Sequence, residues 1–385
     1  MTRRRLWLGA AFCFVAGDAM AMQARGALLS SFEATFGVSE SLLGLVAPAG
    51  TVGFVAAILI VGLVAGRLDA RHVLVVGAAA MVASLFLIAV APVYSLFLLA
   101  LLAQGAAAGV FRAMDRPLLS HLYPERLGRI FVLYALAWAV GAVTAPALAS
   151  GVLLVADWRL TYVLIGLLLV PVVVAVWTLE SPTEWDERRL ERESLTRLLS
   201  NPLMGGTLLG MALVGGIEGT IFTWLPYYAG TFFDRTTANL ALSVYLLAYV
   251  PGRYAYAKLI ESTSYLRLSA LTTALAIPSI VLAVGWTGVG MLVAVFCLGL
   301  LLSSLFPLLS AYGVELAPEY SGPVSALATA ATYAGMATVP AVVGVVAELT
   351  DIGTAMWIPA ALTVVLFAVV LTMWRRDGPV ERAHV

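Results

Sequence analysis

The sequence predicts an all-α membrane protein whose twelve transmembrane helices form two pseudo-symmetric six-helix bundles. Its composition excludes an ordinary soluble protein, because 62% of the 385 residues are hydrophobic and 11% are charged, against about 25% charged in typical domains. The mean hydropathy is +0.98. Apolar runs of about 20 residues, long enough to cross a bilayer as helices, follow one another from Leu6 to Trp374. A similarity between the two halves of the chain, described below, also predicts this fold.

Charged, proline and glycine residues divide these runs into twelve predicted spans. One long polar break, 180-ESPTEWDERRLERESLTRLLSNP-202, separates six spans from six. We therefore expect an N-terminal bundle at 1–180, a cytoplasmic linker at 181–202 and a C-terminal bundle at 203–385. The spans are predicted near residues 6–31, 42–65, 73–91, 94–121, 129–155, 159–179, 203–229, 238–260, 266–285, 289–314, 323–347 and 354–374.

Arginine and lysine residues indicate the orientation, because cytoplasmic loops carry an excess of them. With the N-terminus inside, sixteen of the 22 basic residues fall on the inner side, and only Arg159 and Arg235 fall in outer loops. Both termini are therefore expected in the cytoplasm, and the compact loops favour a prokaryotic cytoplasmic membrane. The other four basic residues lie inside or at the ends of spans: Arg25, Arg112, Arg116 and Arg253.

The two halves of the chain resemble each other in the fifth and eleventh spans. The segments 141-GAVTAPALAS-150 and 335-GMATVPAVVG-344 both place a proline five residues after a glycine. Parallel six-helix repeats of this kind are a known transporter architecture, so we predict a duplication in which these residues serve helix packing. Three pairs share one offset of 194 residues: Gly141 with Gly335, Pro146 with Pro340, and Asp157 with Asp351.

Two carboxylates lie near the middle of apolar spans. Asp18 lies in span one, within 14-FVAGDAMAMQARGALL-29, and Glu218 lies in span seven, its counterpart in the second half. A charge at the bilayer centre costs about 3 kcal/mol or more, so such a side chain faces water or a partner. Because burial disfavours the charged form of a carboxylate, both are predicted proton-coupling groups. The alternative is that each is paired permanently with an arginine as a structural contact.

Span four carries a cluster of charges that predicts contact with an anionic substrate. In 109-GVFRAMDRPLL-119, Arg112, Asp115 and Arg116 lie at i, i+3 and i+4 on one helix face. Arg112 is the deepest, and its guanidinium can hold an anion bidentately; the alternative is a gating pair with Asp115. The rest of the predicted substrate-binding set is Gln23, Arg25, Trp138, Tyr245 and Tyr249. The alternative for Gln23 is a buried amide that bonds to a neighbouring helix. The alternative for the aromatic residues is a place in an interface belt.

The loop after the second span, 62-GLVAGRLDARH-72, resembles the cytoplasmic signature loop of the major facilitator superfamily. Gly66 stands at the acidic position of that signature, and Asp69 stands at its second glycine. The resemblance implies that this loop locks one conformation through charge pairing, with Asp69 as the acid. The positions that match the signature are Gly62, Arg67 and Arg71. The other predicted gating residues are Asp115, Arg116 and Arg253. For Arg253, the alternative is that its side chain snorkels to the membrane interface.

Two further segments extend the resemblance along the chain. In span four, 104-QG-105 is similar to a family pattern, although Leu101 replaces its arginine, and the fifth span is similar to a pattern associated with antiporters, although Ala145 replaces a glycine. The resemblance implies two helical halves that rock about a midplane substrate site, which is the mechanism of alternating access.

The motifs that are missing also limit the function. The sequence has no phosphate-binding P-loop, no H-E-x-x-H zinc motif and no G-x-S-x-G nucleophile motif, so we expect no enzyme, metal, cofactor or nucleic-acid partner. The predicted function is proton-coupled secondary transport of a small organic solute by a monomer in the bilayer, with efflux favoured by the fifth-span pattern. The alternatives are an organic-anion uptake symporter or uniporter, with Arg112 gripping the anion, and a membrane sensor that does not transport.

Overall fold

A computed structural model describes residues 3–64, 69–179, 200–260, 262–317 and 320–377. These residues form helices and short connections, with no β-strand among them, so the all-α prediction is confirmed. Eleven helical segments in this described part are long and apolar enough to cross a membrane. The count is one fewer than the twelve spans predicted.

The chain divides into two compact units, residues 1–188 and 189–385. The predicted linker at 181–202 lies outside the described residues except for its last three positions. The helices of the first unit are α1 (Arg3–Ala27), α2 (Leu29–Phe36), α3 (Glu40–Leu43), α4 (Val46–Val64), α5 (Ala70–Val90), α6 (Tyr94–Leu122), α7 (Leu127–Leu153) and α8 (Arg159–Thr178).

The second unit contains the remaining helices. They are α9 (Pro202–Ala229), α10 (Arg235–Leu247), α11 (Tyr249–Leu259), α12 (Tyr265–Gly285), α13 (Gly288–Leu302), α14 (Leu305–Leu316), α15 (Ser321–Leu349), α16 (Ile352–Ala355) and α17 (Trp357–Asp377).

The predicted eighth span, 238–260, is wrong as a single helix. It consists of α10 and α11, which are separated at Ala248. Pro251 explains the break, because a proline has no backbone N–H to donate to the carbonyl four residues earlier, which here belongs to Leu247. The same chemistry separates α13 from α14, where Pro307 cannot donate to the carbonyl of Ser303.

The helices of the two units pack by the same scheme. In the first unit α1 contacts α7 and α8, α4 contacts α6, and α5 contacts α6 and α8. In the second unit α9 contacts α15 and α17, α10 and α11 contact α13, and α12 contacts α13 and α17. Each of these helix contacts in the first unit has an equivalent in the second unit, between the corresponding spans of the predicted repeat. The prediction of two pseudo-symmetric bundles is therefore confirmed.

One helix crossing in each unit depends on a glycine. A Cβ atom at Gly141 of α7 would overlap the carbonyl oxygen of Ala16 in α1. A Cβ atom at Gly335 of α15 would likewise overlap the carbonyl oxygen of Ala212 in α9. Small residues of this kind allow two helix backbones to approach closely in a membrane. These two crossings are equivalent reference points, from which positions along corresponding helices of the two units can be counted.

Candidate functional site

Asp18 forms an ion pair with an arginine on another helix of its own unit. The Nη1 atom of Arg112 donates to Asp18 Oδ2 at 2.9 Å, and the two side chains are 11% and 13% exposed. The pair joins α1 to α6, and it compensates two charges that would be costly to bury separately. The structural alternative for Asp18, pairing with an arginine, describes this contact, although the sequence did not identify which arginine.

Arg112 also approaches the acid on its own helix. Its Nε atom lies 3.9 Å from Asp115 Oδ2, and Asp115 is fully buried. Tyr134 of α7 donates its hydroxyl hydrogen to the same carboxylate oxygen. We call Asp18, Arg112, Asp115, Arg116 and Tyr134 the first-unit charge cluster.

The ring of Tyr134 carries both arginines of this cluster. The guanidinium carbons of Arg112 and Arg116 lie 5.6 and 5.5 Å from the ring centroid, within the range of cation–π attraction. Tyr134 is not among the predicted site residues, because nothing in the spacing along α7 relates it to α6. The only signal was a tyrosine in an apolar span, one turn before Trp138.

Trp138 lies beside the first-unit charge cluster in a hydrophobic environment. It is partly buried and packs against a group of apolar side chains that includes Ala11, Val15 and Leu119. It lies one helical turn beyond Tyr134 along α7, and Tyr134 belongs to the same packed group. The proposed contact of Trp138 with a substrate stays a prediction.

Arg25 belongs to a separate polar contact, which lies two turns beyond Asp18 along α1. Its guanidinium donates to the side-chain oxygen of Gln104 on α6, and a Cβ atom at Gly50 of α4 would overlap that guanidinium. Gln104 therefore bonds to a neighbouring helix. Gln23 is also fully buried, and neither its Oε1 nor its Nε2 atom has a hydrogen-bond partner in the described part of the chain.

Glu218 has a different environment from Asp18. It is 8% exposed near the middle of α9, and it accepts a hydrogen bond from the hydroxyl of Tyr249, the first residue of α11. The hydroxyl oxygens of Tyr249 and Tyr245 are 3.1 Å apart. Among the described residues, no arginine or lysine nitrogen lies within ion-pairing distance of this carboxylate. The structure thus brings together three of the predicted site residues.

Arg253 lies close to this group without touching the acid. Its guanidinium carbon is 5.3 Å from the ring centroid of Tyr249, and its Nε atom is 3.5 Å from the carbonyl oxygen of Ser303. That carbonyl is the one that Pro307 cannot engage. Arg253 therefore lies between two broken helices, with one face on an aromatic ring. We call Glu218, Tyr245, Tyr249 and Arg253 the second-unit acid group.

The two acids lie at different heights in the repeat. Asp18 follows the crossing residue Ala16 by two positions, whereas Glu218 follows the crossing residue Ala212 by six. The difference of four residues is about one helical turn, or about 6 Å. Glu218 is therefore not the positional counterpart of Asp18, although their helices correspond.

The predicted gating loop is described only in part. Gly62 lies near the end of α4, and Arg67 lies outside the described residues. Asp69 caps the start of α5 by accepting hydrogen bonds from the backbone N–H groups of Arg71 and His72. The guanidinium of Arg71 donates to the carbonyl oxygen of Trp177 in the last turn of α8. Both contacts stabilise helix ends, where backbone groups lack intrahelical partners.

The two groups of charged and polar side chains differ in the partners of their acids. No group of three or more His, Cys, Asp or Glu side chains in the described ranges could hold a metal ion. The first-unit charge cluster holds two acids against two arginines, so its charges balance. The second-unit acid group holds an acid whose hydrogen-bond partner is a phenol. An acid of the second kind can exchange a proton without first breaking an ion pair.

Comparison with known proteins agrees with this helical architecture. The family model described as Major Facilitator Superfamily matches residues 7–318. No curated protein sequence matches the chain. Among solved structures, a mutant of the nucleoside transporter NupG has a TM-score of 0.82 and 15% identity, over 96% of this chain and 100% of that chain.

A second solved structure has the same fold. A bacterial homolog of the human lysosomal transporter Spinster, inward-facing and unoccupied, gives a TM-score of 0.82 and 13% identity, over 97% of this chain and 98% of that chain. Identities this low show the shared fold alone. The family model covers most of the chain and describes transporters rather than enzymes. The chain is therefore an integral membrane protein that belongs to the major facilitator superfamily.

Proposed function

We propose that the chain is a proton-coupled secondary transporter of a small organic solute, working by alternating access, with Glu218 as the proton-binding group. The observation that carries the proposal is the contact of Glu218 with a phenol rather than with a cation. A carboxylate near the middle of a spanning helix is expensive to keep charged. Protonation removes that cost, and the hydroxyl of Tyr249 can bond to either form of the acid.

Asp18 has a different role in this proposal. Its carboxylate is paired with the guanidinium of Arg112, and in this proposal the pair separates only when Arg112 finds another partner. An anionic substrate is such a partner, because a guanidinium binds carboxylates and phosphates bidentately. This reasoning supports the second candidate function, organic-anion uptake, in which Arg112 leaves Asp18 for the substrate.

The cargo class follows from the charges of both groups. An organic anion suits Arg112, and a small amphipathic compound suits the tyrosines of the second-unit acid group. Nucleosides belong on the screening panel, because a nucleoside transporter is among the structures that share the fold. Ligands that bind the folded protein raise its thermal midpoint by mass action, so a thermal-shift screen of purified protein selects the cargo for transport assays.

The direction and location of transport complete the proposal. We place the protein as a monomer in a prokaryotic cytoplasmic membrane, with both termini in the cytoplasm, on the distribution of basic residues. Efflux in exchange for protons is preferred to uptake, on the similarity of the fifth span to antiporter sequences. Uptake with a proton is the alternative that the same assay detects.

The test uses purified protein in liposomes with a compound selected by the thermal-shift screen. In wild-type liposomes, an imposed pH gradient drives the compound against its concentration gradient. In Glu218→Gln liposomes, we expect that accumulation to be lost, because the amide cannot carry a proton. Exchange of labelled for unlabelled compound without a gradient should persist in Glu218→Gln, because exchange does not require proton release.

Three results would contradict the proposal. Gradient-driven accumulation in Glu218→Gln at the wild-type level would remove Glu218 as the proton-binding group. Loss of both accumulation and exchange, in protein that still binds the compound, would assign Glu218 to substrate movement instead. Binding without any movement in the wild type would favour the non-transporting sensor.

A further inference from the structure

Each unit contains a tyrosine placed between a buried acid and an arginine. In the second unit the hydroxyl of Tyr249 donates to Glu218, while the ring of Tyr249 carries Arg253 at 5.3 Å. In the first unit the hydroxyl of Tyr134 donates to Asp115, while its ring carries Arg112 at 5.6 Å. The same three chemical groups are therefore joined in the same order twice.

The repeat of the fold does not explain this likeness. The acid and tyrosine of the first unit lie on spans four and five, whereas those of the second unit lie on spans seven and eight. Corresponding helices would carry them if the arrangement had been copied with the bundle. The shared feature is the chemistry of the contact.

In the first unit Arg112 also lies 3.9 Å from Asp115, so the ring is the link between arginine and acid only in the second unit. A cation over the ring face is attracted to the π-electrons, and it polarises the phenol so that its O–H becomes a stronger donor. A stronger donor favours the charged form of the acid that accepts from it. Arg253 lies over the ring of Tyr249 and does not contact Glu218 in the way that Arg112 contacts Asp18.

We propose that Tyr249 is the positioning residue of the proton-binding group, and that Arg253 acts on Glu218 through the ring of Tyr249. This inference rests on the proposed function of Glu218. Tyr249 fixes the acid by its hydroxyl and the guanidinium by its ring, and the Ser303 carbonyl holds Arg253 in place. The acid stays exchangeable because its nearest cation never becomes its direct partner.

The groups that face Glu218 in the second unit limit the interpretation of a pH titration. They are Tyr249 at the acid, Tyr245 one hydrogen bond away, and Arg253 beyond the ring. Two other helices packed against α9 each carry a tyrosine, Tyr312 of α14 and Tyr333 of α15. A change in the titration of Glu218 therefore reports on the second-unit acid group.

The test is infrared difference spectroscopy of the full-length protein in lipid, at pH values from about 5 to about 9. A protonated carboxyl group absorbs apart from a carboxylate, and subtracting the Glu218→Gln spectrum isolates the signal of Glu218. In Tyr249→Phe the ring remains and the hydroxyl is removed. We expect the titration midpoint to rise by about one pH unit, a tenfold increase in proton affinity, because the charged form loses its donor.

Three further variants separate the role of the ring from that of the hydroxyl. Arg253→Gln should raise the midpoint by less than Tyr249→Phe does, and Arg253→Lys should restore most of the wild-type value because it keeps a cation over the ring. Tyr245→Phe should give a smaller rise, since Tyr245 contacts Tyr249 rather than the acid. Tyr228→Phe is the matched control, because its hydroxyl bonds to the carbonyl of Val284, and its midpoint should equal that of the wild type.

The outcomes distinguish this inference from the proposed function. An unchanged midpoint in Tyr249→Phe and in Arg253→Gln would overturn the inference, while the signal of Glu218 itself would still support a proton-binding group. If no carboxyl signal disappears in Glu218→Gln, the proposed function fails instead. If Tyr249→Phe does not fold, Arg253→Gln and Arg253→Lys decide, because equal midpoints in those two variants would exclude an effect of the cation.

Discussion

Arg112 shows how a buried arginine in a membrane is stabilised by more than one group. It is paired with Asp18 at 2.9 Å, approaches Asp115 at 3.9 Å and lies over the ring of Tyr134. Removing one member of a buried charged pair leaves the other charge uncompensated. The loss of folding stability on substitution is therefore expected to depend on which charged residue remains.

We expect Arg112→Gln to lower the free energy of unfolding by about 3 kcal/mol, because Asp18 then keeps a buried charge without its arginine. The double variant Asp18→Asn with Arg112→Gln should recover part of that loss. Thermal unfolding of purified protein, followed by tryptophan fluorescence, measures both. Strictly additive effects of the two substitutions would show that the 2.9 Å contact contributes no coupling.

Residue contacts of this kind were the least predictable part of the molecule. The sequence marked Asp18, Glu218, Arg112 and Tyr249 as polar groups in apolar spans, because hydropathy and helical spacing are local properties. It did not predict that Asp18 pairs with Arg112, which is 94 positions away. Such contacts depend on the rotation of each helix about its axis, and apolar residues on all sides of a span leave that rotation undetermined.

At the scale of elements, the helix crossings at Gly141 and Gly335 are the clearest consequence of the repeat. Each glycine allows a carbonyl oxygen of the neighbouring helix to occupy the space of its missing side chain. Gly151 lies on the same helix as Gly141, but nothing lies within 4 Å of a Cβ atom placed there. Gly141 and Gly151 are therefore a matched pair for substitution, because one lies at a helix crossing and the other faces open space.

Gly141→Ala is expected to destabilise the protein by about 2 kcal/mol, because the new methyl group meets backbone that cannot move aside cheaply. Gly151→Ala should be neutral or slightly stabilising, since alanine favours the helix over glycine. Thermal unfolding of the two variants under one condition makes the comparison. Equal effects would mean that the crossing of α1 and α7 tolerates a side chain.

Acidic side chains at helix starts outside the spans contribute pH-dependent stability to the fold. Asp351 accepts hydrogen bonds from the backbone N–H and hydroxyl of Thr354, at 2.9 and 2.7 Å, and these bonds lower the pKa of its carboxyl group. A lowered pKa in the folded state gives stability that is present above the unfolded pKa, and that is lost as the pH falls through the folded pKa.

Asp351→Ala should therefore lower the thermal midpoint at neutral pH, and the difference from the wild type should shrink as the pH falls through the lowered pKa of Asp351. Asp351→Asn is the control, because it keeps an acceptor for the helix start without a titrating group. Thermal unfolding across this pH range measures all three proteins. A difference between Asp351→Ala and the wild type that stays constant across this pH range would contradict the assignment.

The elements themselves were largely predictable from the sequence, except for the breaks within the eighth and tenth spans. Long apolar runs and basic loops determine where helices begin and end in a membrane, because every backbone polar group must be bonded internally. The eighth span was predicted as one helix although Pro251 lies within it. Proline often only kinks a membrane helix, so the sequence alone does not distinguish a kink from the separation at Ala248.

At the scale of the whole molecule, the two units share a packing scheme but differ in the groups that contact their buried acids. The first unit holds a balanced cluster of two acids and two arginines, and the second holds an acid bonded to a phenol. A transporter that couples a proton to a solute needs one group that exchanges protons readily and one that binds cargo. The division of charges between the units supplies candidates for both.

The most direct test of this account measures proton movement caused by the cargo. Wild-type protein is reconstituted in liposomes containing a trapped pH-sensitive dye, and a compound identified by the thermal-shift screen is added without an imposed pH gradient. The account predicts a proton flux that accompanies the compound in the wild type and is absent in Glu218→Gln, although Glu218→Gln still exchanges the compound. An equal proton flux in the wild type and in Glu218→Gln would contradict it.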